Sequence, residues 1–361
     1  MNSNAMASKD DNALTKQAWL ITKLVISIAL TLTFAGGAKA QTTPRLKATL
    51  GVAGSSSQLA LLAMNVARGK GYIKDEGLDL EVTDYGSGAK GLQSLVGRNS
   101  EMVIGVHEHT LIMQAKGMDL RSIVAFSNAP GIVLAITKNF ESKFKNIKDL
   151  KGAKIGVSAP GSSTHLFLNQ VLVQNGLKPS DVSIIGIGNA AGAVAAVRHG
   201  GELQAIVNFD PVISELEQSG DIKTVIDLRN IEAAKKYYKR DFTFLTLYTT
   251  ADFIQKNPAV CQAIVNGIVR ALKWMETAKP EEILATIPEA YWKANRELYL
   301  NSIARNQAGF SRDGRMTEEG TKTLYDGLMT YDKEIQASKF DLSKTYDNQF
   351  VEKALLKDFR K

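Results

Sequence analysis

The chain has 361 residues, more than one ordinary domain needs, and can bury two cores. Its 44% hydrophobic and 22% charged residues are typical of a globular protein, so composition gives no reason to invoke disorder. The formal charge is +7, or +5 without residues 1–40, which helps draw in anions, yet no basic run is interleaved with aromatics, which argues against a nucleic-acid partner.

At the N-terminus, Lys16 and Lys23 precede an apolar run from Leu24 to Phe34, and Ala38-Lys-Ala40 supplies small residues at the cleavage-determining positions. The run is far shorter than the roughly 20 residues of a membrane span, so residues 1–40 are expected to be a secretory signal peptide cleaved after about Ala40. No later stretch is apolar enough to span a bilayer. Cys261 is the only cysteine, which excludes an intramolecular disulfide. It also lies far from the cleavage site, so no lipid-modified cysteine anchors the mature N-terminus. The expectation is a freely diffusing periplasmic protein.

The mature chain makes two similar passes. In the first, residues 46–52 alternate as a strand, residues 58–68 form a helix stopped by Gly69-Lys-Gly71, and residues 77–85 alternate as a second strand. A short helix over 88–96 and a buried strand over 101–106 complete a βαβαβ unit, whose crossovers imply a parallel sheet. The second pass repeats this with strand 154–157, helix 163–174, strand 182–187, helix 190–199 and strand 205–209. Residues 131–137 and 242–248 are apolar and β-branched, as expected of strands crossing between two lobes as a hinge. Beyond them, Asn257-Pro258 opens a helix on which Val260, Ile264, Ile268 and Leu272 recur every fourth residue. The remainder is expected to be helical and to pack back on the first lobe.

In open parallel sheets ligands bind beyond the carboxyl ends of the strands, where loops enter helices. Ser55, Ser56, Ser57 and Gln58, Gly86, Ser87 and Gly88, Ser162, Ser163, Thr164 and His165, and Asn189 with Ala190 all stand at such places. Helix N-termini there present unpaired amides suited to a small anion, or the serines and glycines simply cap helices. Sharper motifs fail. Gly86-Ser-Gly-Ala-Lys-Gly91 matches GxGxxG but follows an acidic second strand, no GxxxxGK[ST] loop is present, and His107-Glu-His109 is not completed to HExxH because residue 111 is leucine. Ser163 and His165 lie in no G-x-S-x-G elbow. No cofactor, metal site or catalytic group is therefore expected. Asp210, before Pro211, either places a carboxylate at the cleft or caps the next helix.

Gly71-Tyr-Ile-Lys-Asp-Glu-Gly-Leu-Asp79, Asn146-Ile-Lys-Asp-Leu-Lys-Gly-Ala-Lys-Ile-Gly-Val157, Gly161-Ser-Ser-Thr-His165 and Asn208-Phe-Asp-Pro211 together resemble the substrate-binding proteins of ABC importers. The group is that of the nitrate, sulfonate, taurine and bicarbonate binders, related to the thiamine-pyrimidine (NMT1/THI5-like) proteins. The resemblance implies an α/β, type II periplasmic-binding-protein fold of two lobes joined by a two-stranded hinge. Lobe 1 would comprise residues 41–134 and 249–361, and lobe 2 residues 135–248. It also implies a monomer that hands its ligand to an ABC permease and ATPase. The family's ligand loops fall on Ser55 to Gln58, Gly86 to Gly88, His107 and Glu108, Asn128 to Pro130, Ser162 to His165, Gly188, Asn189 and Ala190, and Asp210. The acidic Glu108 would oppose a bare anion unless a cationic group offsets it, so a sulfonate, an aminosulfonate such as taurine and a cationic pyrimidine all stay open. A cleft enzyme and a receptor-docking sensor are the rival functions.

Overall fold

The computed structural model describes residues 45–52, 59–200 and 202–359, so the signal segment and the loop bearing Ser55, Ser56, Ser57 and Gln58 lie outside the described residues. Leu46–Lys361 forms one compact unit. Among the described residues, no helix is long and apolar enough to cross a membrane.

The first pass contains strand β1 (Leu46–Val52), helix α1 (Leu62–Gly69), β2 (Leu78–Asp84), α2 (Gly88–Val96), β3 (Met102–Val106), α3 (Glu108–Ala115) and β4 (Leu120–Ala125). The second contains β5 (Val133–Thr137), β6 (Lys154–Val157), α4 (Ser163–Gln174), β7 (Ser183–Gly186), α5 (Ala191–Gly200), β8 (Ala205–Asn208), α6 (Val212–Gln218) and β9 (Ile222–Asp227). Helix α7 (Ile231–Tyr238), β10 (Leu245–Thr250) and the long α8 (Pro258–Met275) follow, then further helices including α9 (Arg296–Asn306) and α10 (Glu318–Leu328).

Two five-stranded sheets result, ordered β2-β1-β3-β10-β4 and β7-β6-β8-β5-β9. Strand β1 pairs parallel with β2 and β3, and β6 pairs parallel with β7 and β8, as the crossover helices require. Each sheet is nevertheless mixed. Its fourth strand, β10 in one and β5 in the other, is antiparallel to both neighbours. These two strands are the apolar segments expected to cross between lobes, and each joins the sheet at which the chain arrives, so Leu245–Thr250 belongs to the first sheet. The crossing itself is made by the residues just before them. Phe126 N–H donates to the Leu245 carbonyl at 2.7 Å, and Phe244 N–H donates to the Ser127 carbonyl at 3.0 Å. The two connections thus run side by side as a short antiparallel ribbon.

The burial of β3, β5 and β8 along their whole length explains their unbroken apolar runs. Helix α8 turns Val260, Ile264, Ile268 and Leu272 inward against α1 and β1 of the first lobe. Each such side chain contributes about 1.5–3 kcal/mol on burial. Gly267 lets α8 approach closely, because a Cβ there would stand 2.8 Å from the Ile73 side chain and 3.2 Å from its backbone nitrogen.

Candidate functional site

The loops at the carboxyl ends of the two sheets meet. Gly86, with φ of 72°, turns the chain after β2, and Ser87 caps α2 by accepting from Lys90 N–H at 3.4 Å. Gly88 opens the helix, and the next amide, Ala89 N–H, donates to Ser162 Oγ of the second lobe at 3.0 Å. Gly161, with φ of 81°, lies so close that a Cβ there would stand 3.7 Å from the Ala89 Cβ. Among the described residues, the Ser162 loop thus meets the N-terminus of α2 across the cleft. Behind this contact Thr164 Oγ1 accepts from Ser158 N–H at 3.0 Å, and His165 Nδ1 accepts from Gly161 N–H at 2.9 Å, bracing the loop. Burial lowers the pKa of His165, consistent with a neutral acceptor ring.

His107, Glu108 and His109 take three different environments. His107 is fully buried, with Nδ1 2.9 Å from Ser122 Oγ and Nε2 3.1 Å from Thr321 Oγ1, so both ring nitrogens are engaged within the first lobe and the C-terminal helices. Burial pulls its pKa down to about 3. His109 reaches across the cleft. Its Nε2 lies 3.4 Å from the Gly161 carbonyl and its Nδ1 3.0 Å from the Tyr248 hydroxyl. A carbonyl only accepts, so Nε2 carries the proton and Nδ1 accepts from Tyr248. Burial lowers this ring to about 4, against a small raising effect of the Gly161 carbonyl. Gly105 makes room for the tyrosine, because a Cβ there would stand 2.8 Å from the Tyr248 hydroxyl.

Glu108, at the first turn of α3, is 8% exposed, and its Oε2 has no hydrogen-bond partner among the described residues. Burial pushes its carboxyl up to about 8, only partly opposed by its own backbone amide. It lines a cavity of about 20 Å³ shared with Ser163 of the second lobe, Pro130 of the crossing and the rings of Phe167, Tyr238, Phe244 and Tyr331. That volume holds about one water-sized group.

On the other side of Pro130 a second cavity of about 20 Å³ is lined by Leu59, Phe209, Asp210, Arg229 and Asn306. Asp210 Oδ1 accepts from Ser214 N–H at 3.0 Å and from Ser214 Oγ at 2.8 Å, and Oδ2 accepts from Asn306 Nδ2 at 3.0 Å. Buried Arg229 lies 3.4 Å from Asp210, 2.9 Å from Glu217 and 2.6 Å from Asp227. Burial alone would lower the pKa of this guanidinium; its carboxylate partners outweigh burial and hold it above the usual value. Asp210 is thus both a cap for α6 and a member of a buried ion cluster. Gly188, with φ of 73°, donates its N–H to the Ser158 carbonyl at 3.0 Å and accepts from Asn208 Nδ2 at 3.0 Å. Asn189 is buried and Ala190 exposed at the start of α5. Asn128 N–H donates to the Gly309 carbonyl at 2.9 Å, which ties the crossing to the C-terminal helices.

The structure brings Ala89, just after Gly86 to Gly88, to Ser162, and Glu108 together with Ser163 and Pro130; Asp210 lines a separate cavity that also includes Pro130. Arg229, Asn306, Tyr238, Tyr248 and Tyr331 escape a reading of the sequence. Apart from Asp227 beside Arg229, their partners are distant in the chain, and none lies in a local motif. Only the acidic company of Arg229, with Asp227 two residues before it, offers a signal.

Residues 60–283 match the NMT1/THI5 like family. A solved structure from Bordetella bronchiseptica RB50 is 39% identical, covering 87% of this chain and 98% of its own, with a TM-score of 0.82. The alkanesulfonate-binding protein SsuA from Xanthomonas axonopodis pv. citri, solved with MOPS, is 15% identical with a TM-score of 0.65, covering 85% of this chain and 100% of its own. The periplasmic nitrate-binding protein NrtA from Synechocystis PCC 6803 is 16% identical at the same TM-score, covering 86% of this chain and 88% of its own. These neighbours share the periplasmic-binding-protein fold of two α/β lobes. With the family matched over more than half its length, the chain belongs to the NMT1/THI5 like family.

Proposed function

We propose that the protein is a periplasmic solute-binding component of an ABC importer, without catalytic turnover. It would capture a small anionic or zwitterionic organic solute, of the alkanesulfonate or taurine kind, between its lobes and deliver it to a permease and its ATPase. The observation that carries this reading is the bond from Ala89 N–H, at the N-terminus of α2, to Ser162 Oγ at the N-terminus of α4. Two helix N-termini from opposite lobes converge there, and each favours negative charge by about 0.3–1 kcal/mol when exposed and up to about 2 when partly buried. Micromolar capture needs about 8 kcal/mol, so several such loops must act together, and lobe closure supplies that convergence. The ligand contacts assigned to this site are Gly86, Ser87, Gly88, Glu108, Pro130, Ser162 and Ser163; Ser55 to Gln58, assigned as contacts by the family resemblance, lie outside the described residues. The lobes divide at the ribbon through Phe126 and Phe244, and the mature protein acts as a periplasmic monomer.

Native mass spectrometry of the purified mature protein for carried-over ligand tests this, followed by melting with sulfonates, taurine, nitrate, bicarbonate and aminopyrimidines. A true ligand at a hundredfold excess over its dissociation constant adds about 2.7 kcal/mol of stability. Turnover of a candidate with no binding shift for any of them would remove the transport reading.

A further inference from the structure

We infer that the Glu108 cavity is the subsite for a primary ammonium group, so that the captured solute carries a positively charged amine besides its anionic end. This rests on the solute-capture reading above and adds the chemistry of one end of the ligand.

Among the described residues none donates to Glu108 Oε2, although the side chain is more than nine-tenths buried. A buried carboxyl oxygen without a donor is costly, and native proteins seldom keep one without a role. The cavity supplies no counter-charge: no lysine, arginine or histidine stands among its described lining residues. Its other titratable groups are the phenols of Tyr238 and Tyr331, both raised well above their ordinary values by burial first, with the nearby Glu108 adding to it. The remaining polar lining, Ser163, Gln170 and Thr323, is neutral.

What fits is set by size and surface. A volume of about 20 Å³ takes one water-sized group, such as –NH₃⁺, and not a pyrimidine ring. Several lining side chains are aromatic, whose faces attract a cation, and the carboxyl oxygen completes a charge-assisted hydrogen bond. Ser163 lines the cavity while its neighbour Ser162 receives the α2 amide, so the ammonium subsite adjoins the helix N-termini assigned to the anion. The carboxyl, protonated in its apolar surroundings near neutral pH, ionises when the ammonium arrives. The ammonium keeps its own protons and donates one hydrogen bond to Oε2. The carboxyl proton leaves to solvent.

The test is isothermal titration at pH 7 in two buffers of different ionisation enthalpy, using taurine against ethanesulfonate and β-alanine against propionate. At least one amine is expected to bind roughly tenfold or more tightly than its amine-free twin, with a release approaching one proton per ligand. In Glu108→Gln both the preference and the proton release should vanish, and thermal melting verifies that this variant is folded. Equal binding of twins, amine binding without proton release, or an unchanged preference in the variant would each overturn the subsite. An array in which only the amine-free members bind overturns it and leaves solute capture standing. An array with no binder at all removes both.

Discussion

Glu108 makes the stability of this protein depend on pH in a direction opposite to that of an ordinary salt-bridged carboxylate. Its carboxyl titrates near 8 when folded, against a reference value of 4.5. Between those values the folded chain holds a proton that the unfolded chain has released, so the folded state binds more protons and stability falls as pH rises. The loss begins near the unfolded pKa and levels off once pH passes the folded one. Holding one proton more than the unfolded chain costs the folded state about 1.4 kcal/mol for every tenfold fall in proton concentration, so the decline between pH 5 and pH 7 amounts to about 2.5 kcal/mol from this group alone. Buried His107 and His109 work the other way, since depressed imidazoles leave the folded chain with fewer protons than the unfolded one below the unfolded pKa. They are present in any Glu108 variant and cancel in a difference. Urea unfolding of the wild type and of Glu108→Gln across pH 5 to 9 therefore isolates the effect: the variant should gain on the wild type steadily up to about pH 8 and then hold its lead. Parallel stability curves would show that Glu108 titrates normally, and the argument from its burial would fail.

Replacing Arg229 by methionine removes the cation from among Asp210, Glu217 and Asp227, of which Asp210 has a side chain only 1% exposed. The expected loss is about 3–5 kcal/mol in urea denaturation, and a loss below about 1 kcal/mol would mean that the cluster is satisfied in another way. Ser162→Ala deletes the acceptor of the Ala89 amide across the cleft. One neutral hydrogen bond is worth about 1 kcal/mol, so the closed-to-open ratio read by inter-lobe energy transfer should fall about fivefold; no change would place the lobe contact elsewhere. Mass spectrometry of the secreted protein should give an N-terminus near Gln41, whereas retention of the apolar run from Leu24 to Phe34 would refute cleavage.

The periodic elements are legible in the sequence because their signals are local. Helices Gly88–Val96 and Ser163–Gln174 and strand Lys154–Val157 stand where alternation and glycine punctuation place them. Strands Leu120–Ala125 and Ile222–Asp227 are not, because each completes its sheet beside an antiparallel strand from a distant part of the chain. The same limit applies at the site. Small polar loops after parallel strands announce a cleft, but the sequence does not say that Ser162 receives the α2 amide. Nor does it separate the neighbours in His107-Glu-His109. That separation follows from the end of β3 and the start of α3, where successive side chains turn by roughly 100°. His107 falls into the interior, Glu108 onto the crossing ribbon and His109 toward Gly161.

The two passes also explain why Glu108 matters more than Asp210. Each acid lies just beyond the third strand of its βαβαβ unit, two positions after the last residue of β3 or β8. In the second lobe the fold consumes the charge: Ser214 bonds one carboxylate oxygen, Asn306 the other, and Arg229 neutralises the group. In the first lobe the corresponding oxygen is buried among aromatic rings with no donor among the described residues. Two equivalent positions have been finished differently, one internally and one left for a partner from outside. A solute that puts no polar group into this cavity would leave the cost of Glu108 in place on closure, whereas an ammonium removes it. Only a ligand with differential affinity for the closed state can shift the lobes toward closure, and Glu108 supplies that difference to amines.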